Sequence, residues 1–157
     1  MPTGDELRTA MRRFPSGIAV VTTEVEDQEF GVTVASLVSL SLEPPLLGVS
    51  IGIDTAMHEL LREARGFCVS LLADDQAGVA QHFARAGVPP LVRWLGISTE
   101  AGDYGRRISG ATTWLECRTL EAHPVGDHTF FVAAVEETEL GREAGGLSYV
   151  RGGYHAT

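Results

Sequence analysis

Apolar residues at helical spacing open the chain: Leu7, Met11 and Phe14 lie four and three residues apart, and Pro15 ends the pattern. The expectation is a short amphipathic helix over residues 5–14. From Gly17 the pattern turns to strands: GIAVVTTEV, a polar turn at EDQE, then FGVTVASLVSLSL, read together as a hairpin. Prolines 44 and 45 close the second arm, since neither can donate to a central ladder. LLGVSIG is a third strand, followed by a helix through MHELLREA that Asp54 or Thr55 can cap and Gly66 stops. GFCVSLL is a fourth strand. DDQAGVAQHFARAG then reads as a helix with Ala77, Ala80, Phe83 and Ala84 on one side. Residues 87–104 hold proline, glycine and no clean period, so they read as a long loop of the kind that covers a site. TTWLECRTLEAH and HTFFVAAVEETEL are the fifth and sixth strands, joined at VGD, and residues 130–135 are apolar on both faces.

Within GVTVASLVSLSLEPP, strand alternation puts Thr33, Ala35, Leu37, Ser39 and Ser41 on one side and Val34, Ser36, Val38, Leu40 and Leu42 on the other. Two readings of the hydroxyl-bearing face stay open: it meets water, or it meets a ligand. Strands outnumber helices and follow one another through tight turns, which disfavours a parallel doubly wound sheet. The fold class expected is mainly β, an antiparallel barrel with helices packed outside.

Composition narrows the function classes. The 157 residues are 44% hydrophobic, enough for one core in one domain spanning 1–157. The net charge of -9 supplies no basic footprint for phosphate backbones or anionic lipid, so nucleic acid and membrane are not expected partners. No apolar run reaches the length of a bilayer span and the N-terminus lacks an apolar signal region, so the expected location is cytoplasmic. Cys68 and Cys117 sit in separate apolar runs without a CxxC spacing, which reads as two buried free thiols.

Gly48 to Gly52 matches G-x-S-x-G, but Val49 and Ile51 continue the strand where a nucleophile elbow would turn sharply into a helix, so Ser50 reads as a strand residue. The histidines at 58, 82, 123, 128 and 155 show no metal-ligand spacing, and no metal is expected. Neither a GxGxxG nor a Walker loop is present. What remains is the helix start at Asp54-Thr55-Ala56, whose free N–H groups and positive dipole end suit a phosphate. A phosphate there, with a flat ring along Thr33 to Ser39 and Cys68 to Ser70, would make one continuous flavin site.

FPSGIAVVTT, GVTVASLVSLSLEPP, GFCVSLL, WLECR, GDHT and YVRGGY occur in an order and spacing similar to those of the flavin reductase-like family. The resemblance covers residues 7–154. It implies an FMN-binding split barrel of antiparallel Greek-key type, usually a homodimer, that uses NADH or NADPH to reduce FMN or FAD and supplies reduced flavin to a flavin-dependent monooxygenase. Carried over by position, Thr33, Val34, Ala35, Ser36 and Ser39 lie against the flavin, and Val49, Ser50 and Ile51 form the strand beside its ring and ribityl chain. Asp54, Thr55 and His58 fall at the phosphate, and Phe67, Val69 and Ser70 on a further flavin-facing strand. Gly126, Asp127 and His128 match a motif associated with NAD(P)H, and Tyr154 an aromatic near the nicotinamide; His128 and Tyr154 are the implied catalytic pair. Ala35, Met57, Ser70 and His82 depart from the residues frequent in the family, and together they remove hydrogen-bond donors. Two other classes share such a pocket: a flavin-binding or flavin-shuttling protein without reductase activity, and a split-barrel oxidase or heme-binding relative.

Overall fold

The computed structural model describes residues 1–157 and is mainly β, with antiparallel pairing throughout. Helix α1 (Gly4–Met11) starts one residue earlier than its apolar spacing predicts. Thr3 and Glu6 build a capping box there, each side chain bonded to the other's backbone N–H. A two-residue strand β1 (Ser16–Gly17) leads into β2 (Ala19–Val25), which turns through Glu26 into β3 (Gln28–Val34). The chain then runs through β4 (Val38–Leu42), β5 (Pro45–Gly52), α2 (Ala56–Glu63), β6 (Gly66–Leu71), α3 (Ala77–Ala84) and α4 (Pro90–Arg93). It continues with β7 (Thr99–Glu100), β8 (Arg107–Ile108), β9 (Thr113–Val125), β10 (His128–Leu140), β11 (Leu147–Val150) and β12 (Gly153–Ala156).

Seven strands form the main sheet in the order β3-β2-β6-β9-β10-β5-β4, and this order corrects one sequence expectation. Residues 30–42 are not a single strand: β3 and β4 stand at opposite edges of the sheet, joined only by Ala35, Ser36 and Leu37. A flat sheet would separate those edges by six strand spacings, about 29 Å. The four Cα steps from Val34 to Val38 span at most about 14 Å. The sheet must therefore be rolled. The break escapes the alternation pattern because Ser36 replaces ladder pairing with its side chain: its hydroxyl donates to the Ser50 carbonyl at 2.9 Å and accepts the Ser50 N–H at 3.1 Å.

Rolling gives the sheet an inner and an outer apolar face. Inside, Ala19, Val21, Val49, Phe67, Val69 and Phe131 pack around Met57 and Leu61 of α2, all buried. Outside, Ile18 and Val20 pack with Ala80 and Phe83 of α3 and with Leu72, Ile108 and Leu147. Strand β2 is thus covered on both sides. Within 130–135, Phe131 and Ala133 point inward while Phe130, Val132 and Ala134 stay partly exposed. Ala84, expected on the packed side of α3, is exposed because the helix ends there. Strands β11 and β12 join β1 in a separate three-stranded sheet, and β7 pairs only with β8. These five pieces run two to four residues, too short for a period to announce them. No helix is long and apolar enough to cross a membrane.

One buried charge holds the long 87–104 segment and its continuation in place. Glu116 on β9 is fully buried, and its Oε1 accepts the backbone N–H groups of Asp103 (3.1 Å) and Tyr104 (3.2 Å) while Oε2 accepts Arg107 Nε at 2.8 Å. Arg107 also meets Glu137 and Glu139 on β10. A buried carboxylate with three such partners is tolerated; its removal strands two N–H groups and takes from Arg107 the one buried carboxylate among its three. Glu116→Ala should lower the unfolding free energy by about 3 kcal/mol in urea denaturation, and Glu116→Leu combined with Arg107→Met should restore a large part of that loss. Equal stability of Glu116→Ala and the parent would refute this role.

Candidate functional site

Strand β5 and strand β10 run antiparallel with Ser50 opposite Phe130 and Gly52 opposite His128, so the end of β5 and the start of β10 arrive at one place. The Ile53 N–H donates to the Asp127 carbonyl at 3.0 Å and fastens the two turns together. Gly52 permits the close approach that follows. A Cβ built on it would lie 3.1 Å from Asp54 Oδ1 and 3.9 Å from His128 Nε2. The His128 ring is about half exposed and its Nδ1 bonds Asp127 Oδ1 at 2.7 Å. A carboxylate only accepts, so Nδ1 carries the hydrogen and Nε2 is left for another partner. The same bond, with the ring's charge, holds the Asp127 carboxyl below its ordinary range.

Immediately beyond this point helix α2 begins. Thr55 is its N-cap: the hydroxyl donates to the Gly52 carbonyl at 2.8 Å and accepts the His58 N–H at 3.3 Å. The hydroxyl's proton is thus engaged in the cap, which leaves the backbone N–H groups of the first turn as the free donors here. The N–H groups of Ala56 and Met57 in the first turn have no intrahelical acceptor and point from the positive end of the helix. His58 is buried instead of facing an anion: Nδ1 bonds Glu59 Oε1 at 3.1 Å and Nε2 meets Thr129 Oγ1 at 2.7 Å, which ties α2 to β10.

The remaining expected residues divide by burial. Val34, Val49, Ile51, Phe67 and Val69 belong to the inner core, and Phe67 and Val69 are fully enclosed, so their side chains cannot lie on a ligand face. Ser70 is equally enclosed and its hydroxyl accepts the Ile108 N–H at 3.0 Å. Thr33 donates its hydroxyl to the Ala80 carbonyl at 2.7 Å and thereby docks α3 on β3. Ala35 and Ser36 are exposed at the link between the two edges, Ser39 is exposed on β4, and Ser50 is partly exposed and bonded to Ser36. Tyr154 is elsewhere, on β12, with its ring 5.0 Å from Tyr149 and against the outer core; burial, then Tyr149, pushes its phenol up. The structure thus brings together the link, the end of β5, the start of α2 and the His128 turn, while Tyr154 stands in the three-stranded sheet.

Two adjoining clefts open at the start of α2. One, of about 510 Å³, runs between Phe30–Val32 of β3, Asp54 and Thr55, and the residues after α3. The other, of about 700 Å³, follows one face of α2 through Glu59, Leu60 and Glu63 towards Trp94 and Arg106. Phe30, Ala56, Pro90 and Arg93 border both. The Arg93 guanidinium lies 3.7 Å over the Phe30 ring and donates to the Glu29 carbonyl at 2.9 Å. Arg106 stacks over Trp94 at 5.2 Å and pairs with Glu29, and the Trp94 indole N–H is enclosed without an acceptor. Within segment 87–104, Pro90, Arg93 and Trp94 line the clefts, and α4 and β7 give it more regularity than its sequence predicts. Arg93 and Phe30 themselves carry no motif; only their meeting across the sheet edge reveals them.

Fold and clefts define a mainly antiparallel β protein with a nucleotide-sized groove at a helix start. The model of the flavin reductase like domain matches residues 11–157. The reductase component of 4-hydroxyphenylacetate 3-monooxygenase from Thermus thermophilus is 39% identical over 150 residues, covering 96% of this chain and 94% of that protein. An NADH-dependent flavin reductase from a Rhodococcus species is 39% identical over 138 residues, covering 83% and 74%. Among solved structures, the NADH:FAD oxidoreductase of Streptomyces globisporus in complex with NAD and FAD fragments superposes with a TM-score of 0.91 at 30% identity, covering 98% of this chain and 92% of that one. The chain belongs to the flavin reductase-like family.

Neither thiol belongs to the site. Cys68 and Cys117 are free and fully buried, and burial, followed by the Glu116 charge, raises both, Cys117 to about 12. A thiol needs its thiolate to react. Ellman's reagent at pH 8 should therefore label neither cysteine in the native protein and both in guanidinium; prompt labelling of one native thiol would contradict the burial.

Proposed function

We propose that this chain is an NAD(P)H:flavin oxidoreductase that reduces FMN or FAD and supplies the reduced flavin to a partner monooxygenase. The observation that carries it is the meeting of Asp127–His128 with Gly52–Thr55, of which Asp54 and Thr55 line a cleft of about 510 Å³. In a chain of this family, that arrangement supports hydride transfer from a nicotinamide to a flavin bound at the same place.

The residues fit a flavin nucleotide. The Ala56 and Met57 N–H groups and the Arg93 guanidinium suit its phosphate end. Asp54 is exposed beside them and, as an acceptor, suits ribityl hydroxyls and not the phosphate. The exposed backbone of Ala35 and Ser36 can meet polar ring edges, while Ser50 borders the same link. When bound, the flavin supplies the electron-accepting ring and NAD(P)H the hydride, so no protein base is required. His128 then orients the nicotinamide or the reduced ring through its uncommitted Nε2, with Asp127 fixing the ring's orientation. Tyr154, uncharged at neutral pH, stands in the three-stranded sheet beside Tyr149 and suits a role as an aromatic wall for the nicotinamide.

The finer architecture proposed is a split barrel in one domain over 1–157 that assembles as a homodimer in the cytoplasm. Support for assembly comes from α1, which buries none of its residues: Leu7, Met11 and, just beyond, Phe14 are all more than half exposed although they share one face. Leu40 and Leu42 on edge strand β4 are exposed as well. Sedimentation equilibrium should give twice the 16.8 kDa chain mass, and Leu7→Glu with Phe14→Glu should shift it towards the monomer.

Aerobic NADH or NADPH oxidation by the purified protein should appear only with added FMN or FAD. His128→Ala should lower kcat/KM for the nicotinamide donor by about tenfold or more, chiefly through KM. An unchanged KM and turnover would remove His128 from the mechanism. Flavin binding without any turnover would favour the flavin-binding protein over the reductase.

A further inference from the structure

The larger cleft begins where a flavin mononucleotide would end. On the reductase reading, the phosphate lies at the start of α2, beside Ala56 and Arg93, and both residues also border the groove that continues along the helix. Ala56, Glu59, Leu60 and Glu63 are spaced three, four and seven residues from the first, one face of α2. FMN has no atoms to place there; FAD has a second phosphate, a ribose and an adenine.

We propose that this groove holds the adenosine monophosphate half of FAD, which makes FAD the preferred flavin of this enzyme and Arg93 and Trp94 the residues that select it. The inference rests on the reductase reading of the same site. Three features of the groove match the three chemical parts of that half.

Arg93 stands at the junction of the two clefts, the position of a bridging diphosphate. Its guanidinium has two carbonyl partners, Glu29 at 2.9 Å and Val88 at 3.5 Å, and no carboxylate within ion-pair distance, so its charge is not neutralised by the protein. The other lining guanidinium, Arg106, is paired with Glu29 and is not available in the same way. Burial alone lowers Arg93 from its ordinary range, a cost that an anion would offset. Farther along, Glu59, Glu63 and Asp27 are acceptors at the groove wall, suited to ribose hydroxyls and an exocyclic amine and repulsive to a further phosphate. Phe30 and Trp94 supply flat apolar walls, each with a guanidinium stacked on one side, and the enclosed Trp94 indole N–H lacks an acceptor. The volume of about 700 Å³ accommodates an adenosine.

NADH carries the same adenosine diphosphate chemistry, so the test separates the two sources. The dissociation constants of FAD and FMN are read by fluorescence, and the KM of NADH is read with FMN as acceptor. The parent should bind FAD about tenfold more tightly than FMN. Arg93→Met should raise both flavin constants, that of FAD about tenfold and more than that of FMN, whose phosphate reaches the same guanidinium. Trp94 packs against Phe83 at 5.3 Å, so its truncation endangers the fold; Glu63→Trp instead fills the exposed far end of the groove from a surface position and should weaken FAD while leaving FMN and the melting temperature unchanged. Equal affinities for FAD and FMN in the parent, or equal losses for both flavins in Glu63→Trp, would overturn the proposal. A rise in the NADH KM with flavin constants unaltered would assign the groove to the nicotinamide cofactor and overturn the FAD assignment. Failure of the protein to bind or reduce either flavin would instead sink the underlying reductase reading.

Discussion

The structure depends on a short connection. Ala35 to Leu37 joins the two edge strands of a seven-stranded sheet, and three residues cannot bridge edges that a flat sheet would hold about 29 Å apart. Rolling follows from chain length alone, before any side chain is considered. Rolling in turn creates an interior, and the interior explains why β2, β6 and β10 need apolar residues on the inward face and why α2 is seated by Met57 and Leu61. Ser36 completes the turn by giving its hydroxyl to both backbone groups of Ser50. The link therefore does two jobs: it holds the edges together and it leaves Ala35 and Ser36 exposed next to the end of β5.

A second constraint acts from outside the roll. The segment after α3 carries cleft walls, yet it has only one turn of helix and a two-residue strand of its own. Its position comes from polar anchors: the His82 ring N–H to the Arg93 carbonyl, Arg93 to the Glu29 carbonyl, and Glu116 to the N–H groups of Asp103 and Tyr104. Each of these groups would carry a desolvation cost if left unpaired, so the segment is held by the penalty for release as much as by the bonds. A site wall built this way can be well placed without a large apolar contact.

Legibility from the sequence followed the length of each element. The six longer strands and three helices could be read because alternation and helical spacing persist over enough residues, whereas the arrival of the GDH turn at the α2 start needs the β5–β10 pairing that only the structure gives. The break at Ser36 could not be read, since Val34, Ser36 and Val38 keep the period across it while the hydrogen bonding changes. Motif order led to the family through the spacing of FPSG, GDHT and RGGY, but it assigned roles by position. Burial reassigns several of them: Phe67, Val69 and Ser70 are interior, and His58 braces Thr129. No one-dimensional signal distinguishes an inward from an outward residue when both faces of a strand are covered.

The hydroxyls of residues 33–55 show the same principle at the level of chemistry. Thr33 binds the Ala80 carbonyl, Ser36 binds Ser50, and Thr55 caps α2, so three of the side chains that look available for a ligand are committed to backbone. A flavin at the proposed place would meet main-chain groups, two helix-start N–H groups and Arg93, with few side-chain donors added. Main-chain recognition fixes orientation while contributing little further affinity, because each net hydrogen bond contributes only about 1 kcal/mol against water. A protein whose flavin must leave after reduction is served by that balance. The hydroxyls that would hold flavin tightly are engaged in docking α3, closing the sheet and capping α2, and the same bonds that build the site limit how strongly it binds.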